Sequence, residues 1–290
     1  MPEVVAGSGT VPGREPFGSR LGRAMAERGP LCVGIDPHPA LLKAWGLNDD
    51  AAGLERFSLT VLEAVGQLAA ALKPQVALYE RHGSAGMAVL ERTLAAASDA
   101  GVLTIADAKR GDIGSTMAAY ADAWLRDGSP LAADSVTLSP YLGFESLRPA
   151  LDLAAQSGRG VFVLALTSNP EGASVQHVGG SDSVARRITE SAASENRRYE
   201  GSLGSVGLVV GATVGRALQD LELDLAAVRG VILAPGLGAQ GATAADLRAT
   251  FGAAYAQVLG TSSRDILSAG PAVTSLRDAA RRTLDPLLPG

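Results

Sequence analysis

Val161-Phe162-Val163-Leu164-Ala165-Leu166-Thr167 stays apolar until its last position. A half-buried strand alternates polar and apolar residues. An unbroken apolar run marks a strand buried on both faces, the habit of parallel sheets. Seven further runs recur along the chain: Leu31–Asp36, Ala71–Leu78, Val102–Asp107, Asp134–Leu138 (a weaker one), Val206–Val210, Gly230–Ala234 and Ala256–Gly260. Ala- and Leu-rich stretches with charges at helical spacing separate them, among them Leu54–Leu72, Ala85–Ala100 and Thr116–Arg126. Eight strand-then-helix units over about 260 residues predict an α/β protein with a single-domain (β/α)8 TIM barrel. An open doubly wound sheet is the alternative, which periodicity alone does not separate. Residues 1–16 read as a flexible leader and 17–290 as the barrel. The stretch Glu171–Gly204, too long for a plain loop, reads as an inserted segment with a helix around Ser183–Arg198 beside the active face.

Composition narrows the function. The chain has 290 residues, 47% of them hydrophobic and 19% charged, which excludes a disordered protein. A net charge of -5 argues against nucleic-acid and membrane-surface partners. The lone Cys32 forms no internal disulfide or Cys-based metal site, and it suits a reducing compartment. Glu3, Arg14, Glu15 and Arg20 break up the first twenty residues, so no signal peptide is expected. No run approaches the roughly 18 apolar residues of a membrane span. A cytoplasmic protein is expected.

In parallel α/β folds the chemistry gathers at the carboxyl ends of the strands. The third run leads into Asp107, Lys109 and Asp112. Two residues apart, Asp107 and Lys109 leave the same face of an extended strand. Lys73, from the neighbouring strand, brings two ammonium groups and two carboxylates together, each holding the others ionised. An ion-pair network closing the barrel mouth would use the same residues. After the seventh run, Pro235–Gly241 contains three glycines, Gly238 among them, whose backbone can approach an anion. After the eighth, Ser262 or Ser263 can cap a helix, with Arg264 placed to grip phosphate. His38 reads as a packed or capping residue and Cys32 as core; no metal-ligand spacing stands out.

Asp107-Ala108-Lys109-Arg110-Gly111-Asp112-Ile113-Gly114-Ser115-Thr116 closely resembles the signature of the orotidine 5′-phosphate decarboxylase family. Gly34-Ile35-Asp36-Pro37-His38, Lys73-Pro74-Gln75, Leu166-Thr167-Ser168-Asn169-Pro170 and Pro235-Gly236-Leu237-Gly238-Ala239-Gln240-Gly241 are similar to its other motifs, in order. The Lys-Pro-Gln and Thr-Ser-Asn-Pro forms are those of its longer bacterial branch. The resemblance implies a TIM barrel that converts orotidine 5′-monophosphate to uridine 5′-monophosphate and CO2, in pyrimidine biosynthesis, without cofactor or metal. It also implies a homodimer with shared active sites. By the same resemblance Asp36 binds ribose hydroxyls, and Lys73 joins the charged array and touches ribose. Asp107 lies against the substrate carboxylate and Lys109 donates the proton to C6. Asp112 reaches into the partner's site with Ile113 and Thr116 beside it. Thr167 and Ser168 hold the pyrimidine, and Gln240 and Arg264 the phosphate. The loop after Gln240 lacks the frequent double glycine, and Gly260–Arg264 departs from the usual Gly-Arg ending. Three other activities share parts of this pattern: a keto-gulonate phosphate decarboxylase using magnesium and an enediolate, a Schiff-base aldolase, and a catalytically silent phosphate-binding barrel.

Overall fold

In the computed structural model, which describes residues 13–199, 201–238 and 241–288, all eight predicted strands are present. They are β1 (Leu31–Ile35), β2 (Ala71–Pro74), β3 (Ile105–Arg110), β4 (Ser135–Leu138), β5 (Gly160–Leu166), β6 (Gly204–Val210), β7 (Gly230–Pro235) and β8 (Val258–Ser262). Every paired neighbour is parallel, in the ring order β2-β1-β8-β7-β6-β5-β4-β3. Bridges at Leu72–Thr104 and Gln75–Asp107 join β2 to β3. The sheet therefore closes on itself, and the open doubly wound alternative is excluded.

Local chemistry moves several boundaries. Strand β2 stops at Pro74 instead of running to Leu78, and a short helix follows at Ala77–Glu80. The helix expected over Leu54–Leu72 spans Ala51–Val65, because the chain must turn at Gly66 to enter β2 at Ala71. Strand β8 begins at Val258 and takes in Thr261 and Ser262, which were expected in the turn beyond it.

The helix placed within an insertion is a regular member of the outer ring. Val184–Asn196 packs on β5 and β6, and Ser183 caps it by accepting a hydrogen bond from the Arg186 amide. The stretch between β5 and this helix holds only short turns, at Pro170–Gly172, Ala173–Gln176 and Gly180–Asp182.

One element has no counterpart in the sequence reading. The helix Phe17–Arg28 lies against β6 and β7 and sends Phe17, Leu21 and Met25 into the barrel interior beside Cys32, Ile105 and Leu259. The Phe17 ring meets Phe162 edge-on at 6.0 Å. A Cβ at residue 160 would fall 2.1 Å from that ring, so only glycine fits there. The helix plugs the amino-terminal end of the barrel and leaves the other end open for a site. Within the proposed leader, Arg14 donates to the Ser157 carbonyl at 2.6 Å and pairs with Asp127 at 2.9 Å. Residues 1–12 of that leader lie outside the described residues.

Candidate active site

A cavity of about 350 Å³ opens at the carboxyl ends of the strands. Its wall includes Asp36, Lys73, Asp107, Lys109 and Arg264, drawn from four different strand ends. A second hollow of similar size, about 360 Å³, lies at the plugged end. Its arginines are largely paired internally, Arg20 with Asp134, Arg23 with Glu15 and Arg159 with Asp127.

The geometry centres on Asp107, only 8% exposed. Lys73, 5% exposed on β2, donates to its Oδ2 at 2.8 Å, and Gln75 adds a second bond to the same oxygen at 3.2 Å. Lys109 donates to Oδ1 at 2.6 Å and the Thr137 hydroxyl donates to it at 3.0 Å. One carboxylate thus accepts four hydrogen bonds, two from ammonium groups. Burial alone would raise its pKa, but Lys73 and Lys109 hold the carboxyl well below the usual carboxylate range. Burial alone would likewise discharge Lys73, yet Asp107 and Asp36 hold its ammonium above the ordinary lysine value. An amine kept charged in this way is unsuited to form a Schiff base, which requires the neutral nucleophile.

The sign of both shifts yields a prediction. Asp107's charge contributes stability that is complete above its ordinary pKa and is lost as pH falls through the depressed folded value. Lys73's contribution is complete below its ordinary pKa and is lost as pH rises through the raised one. Asp107→Asn strands a buried ammonium, so it should destabilise the protein by about 3–5 kcal/mol. That margin should be widest near neutral pH, narrow below about pH 4 as Asp107 is protonated in the parent, and narrow again toward alkaline pH as the variant's unpaired Lys73 loses its proton. Denaturant unfolding of both proteins at several pH values measures it, and an equal gap at pH about 3 and about 7 would contradict the pairing.

Lys109 does not reach Asp107 by simple strand alternation. Its φ is 50°, in the left-handed region that non-glycine residues seldom occupy. The β3–β4 register jumps between Ala106 and Arg110, and this bulge folds the lysine back onto Asp107.

Other expected residues fall as follows. Asp36 directly follows β1, and its Oδ1 is buried without a hydrogen-bond partner among the described residues. Gly34 is required beside it, since a Cβ there would lie 1.9 Å from Ser263 Oγ. Arg264 lines the cavity and forms no ion pair among the described residues. Its helix, Arg264–Leu267, is a single turn, and Ser263 at its N-cap position makes no side-chain cap bond. The capping role expected of Ser262 or Ser263 is therefore not realised, because Ser262 is taken into β8. Gly236 and Leu237 line the cavity, whereas Gly238 serves the loop itself. It donates to the Ala242 carbonyl, and a Cβ there would lie 1.9 Å from Asp265 Oδ2. Gln240 lies outside the described residues.

Three sets of residues are not brought to the cavity. Asp112 is half-buried and accepts from the Ile113 amide at 2.8 Å, apart from both lysines. The single chain therefore assembles three members of the expected quartet. Ile113 and Thr116 are exposed beside it. Thr167 and Ser168 line a separate hollow of about 180 Å³, where Gln176 binds both the backbone and the hydroxyl of Thr167 at 2.8 Å.

Sequence reasoning passed over Gln75, Thr137 and Thr261. Gln75 was visible inside Lys73-Pro74-Gln75 but carried no role. Thr261 lines the cavity with a buried hydroxyl that has no hydrogen-bond partner among the described residues. Nothing in the sequence marks Thr137. His38 is neither packed nor a side-chain cap: it is exposed and lines the cavity.

Comparison with known proteins gives one consistent result. Residues 29–279 match the model of the orotidine 5′-phosphate decarboxylase / HUMPS family. The chain is 59% identical over 270 residues to orotidine 5′-phosphate decarboxylase of Streptomyces coelicolor, covering 92% of this chain and 95% of that one. A crystal structure described as an orotidine 5′-phosphate decarboxylase from Streptomyces avermitilis superposes with a TM-score of 0.90 at 56% identity, covering 98% of both chains. The OMP decarboxylase structure of Leishmania donovani gives 0.73 at 31% identity, over 93% of this chain and 97% of that one.

Proposed function

The chain belongs to the orotidine 5′-phosphate decarboxylase family and decarboxylates orotidine 5′-monophosphate to uridine 5′-monophosphate and CO2, and we propose that it does so through the array centred on Asp107. The observation that carries this assignment is the bracketing of Asp107 by Lys73 at 2.8 Å and Lys109 at 2.6 Å.

Loss of CO2 leaves an electron pair on C6 of the pyrimidine, and the ring offers no adjacent electron sink. Fixed charge must therefore meet it. Lys109 places an ammonium where that pair develops and then delivers its proton there. Lys73 and Lys109 keep Asp107 ionised, so the departing carboxylate faces a like charge that it escapes as neutral CO2. Asp36, with an unsatisfied acceptor oxygen, takes ribose hydroxyls. Lys73 supports it and touches ribose. Arg264, together with Gln240 and the Gly236–Leu237 turn, takes the phosphate. Thr167 and Ser168 come to the pyrimidine by rearrangement of their loop.

The fourth charge is supplied in trans, in a homodimer with shared sites. Asp112 sits outside its own chain's array beside Ile113, which is 61% exposed, and the loop that follows the neighbouring strand β4 exposes Tyr141 (79%) and Leu142 (54%). Large apolar side chains left open to solvent in this way suit burial against a second copy. No helix among the described residues is long and apolar enough to cross a membrane. We place the enzyme in the cytoplasm. Burial pushes the Cys32 thiol up to about 12, which keeps that single cysteine unreactive.

The direct test follows the loss of orotate-ring ultraviolet absorbance with purified protein and no added metal. Turnover that survives a chelator supports the reading. Turnover only after magnesium is restored, or only with a sugar phosphate, would overturn it. Arg264→Ala should weaken binding of uridine 5′-monophosphate about 10- to 100-fold. It should leave uridine nearly unaffected in titration calorimetry, and equal loss for both ligands would remove Arg264 from the phosphate site.

A further inference from the structure

We propose that Thr137 is a positioning residue that locks Asp107 and Lys109 into a single unit. The inference rests on the assignment of Lys109 as proton donor.

Thr137 lies on β4, 1% exposed, and does not line the cavity. Across the β3–β4 pair, Ala106 is in register with Val136 and Arg110 with Leu138. Asp107, Ala108 and Lys109 therefore all lie opposite Thr137 alone. Its hydroxyl uses both of its capacities there. It accepts from the Lys109 backbone N–H at 2.9 Å and donates to Asp107 Oδ1 at 3.0 Å. Lys109 Nζ donates to that same oxygen at 2.6 Å.

The consequence is steric as well as electrostatic. Lys109 holds φ at 50°, a conformation that persists only when its surroundings over-determine it. Thr137 supplies the hydrogen bond that fixes this turn. It also orients Oδ1 so that the ammonium is held at a single place. A proton donor displaced by a fraction of an ångström from a developing carbanion loses much of its effect. A hydroxyl that never touches substrate should thus act on the chemical step and not on binding.

Thr137→Val keeps the shape and β-branching but presents a methyl group to the Lys109 amide and to Asp107. Thr137→Ser keeps the hydroxyl. For Thr137→Val the expected result is a fall in kcat of roughly 10- to 100-fold. KM and the affinity for uridine 5′-monophosphate should change less than about threefold, and Thr137→Ser should recover most of the lost rate. Circular dichroism and thermal unfolding establish the folded fraction of each variant. If Thr137→Val does not fold, Thr137→Ala, which removes the hydroxyl without adding a methyl against the amide, is read against the same expectations. A kcat within about threefold of the parent overturns the proposal, as does equal loss of kcat and nucleotide affinity without rescue by serine. Lys109→Ala is measured in parallel. If it retains turnover, the proton-donor assignment fails; if it is inactive while Thr137→Val is normal, only the role of Thr137 fails.

Discussion

Lys109→Ala is expected to lower kcat by about four orders of magnitude or more, since it removes both the proton donor and the nearest stabilising charge. Binding should survive, because the ribose and phosphate contacts assigned to Asp36 and Arg264 lie elsewhere in the cavity. Affinity for uridine 5′-monophosphate should rise or hold, and affinity for the substrate should fall modestly with the loss of one positive charge. Stability should also hold. Asp107 keeps its bonds from buried Lys73, Gln75 and Thr137, while the Lys109 side chain is 46% exposed. This separates Lys109 from Lys73, whose replacement leaves a buried carboxylate short of its main partner and should reduce folding stability and turnover together. The check combines an absorbance assay at high enzyme concentration, nucleotide titration and thermal unfolding. Turnover within about tenfold of the parent would remove Lys109 from the chemical step.

The same contrast explains what could be read from the chain. The barrel was legible because parallel strands must be apolar on both faces, and Val161–Leu166 has no other sensible use. The charged residues were legible because Asp107, Lys109 and Lys73 are too costly to place together in an interior without a purpose. The plugging helix was written in the sequence too, as Phe17, Leu21, Ala24 and Met25 on one helical face, but it precedes the first strand and so falls outside the strand-then-helix alternation on which the barrel was read. What escaped were features created by register. Thr137 is one of many threonines, and only the β3–β4 bulge sets it against both Asp107 and Lys109. Gly238 looked like part of an anion cradle, but its conformation instead admits Asp265, a contact that loop geometry decides. A helix at residues 184–196 was foreseeable, whereas its place in the outer ring depends on which strands it covers.

Sharing of the site between two chains gives the second large effect. Asp112→Asn and Lys109→Ala should each be nearly inactive as homodimers, since every site then lacks one member of the array. Mixed dimers differ. In a symmetric pair, the site built on the Asp112→Asn chain has its own Lys73, Asp107 and Lys109 and receives an intact Asp112 from the Lys109→Ala partner. The other site carries both defects. Random reassortment makes about half of the dimers mixed, each with one sound site, so about a quarter of all sites should regain parental turnover. That fraction is set by symmetry and not by any fitted parameter, which makes it a sharp number to miss. The experiment dissociates and reassociates the two variants together, confirms mixed dimers through distinguishable tags, and measures kcat per chain. Tight-binding titration of active sites counts the sound sites independently. No recovery despite confirmed mixed dimers would confine Asp112 to its own chain. Its bond to the Ile113 amide would then be its whole role, as the carboxylate that fixes the entry of helix Gly114–Leu125.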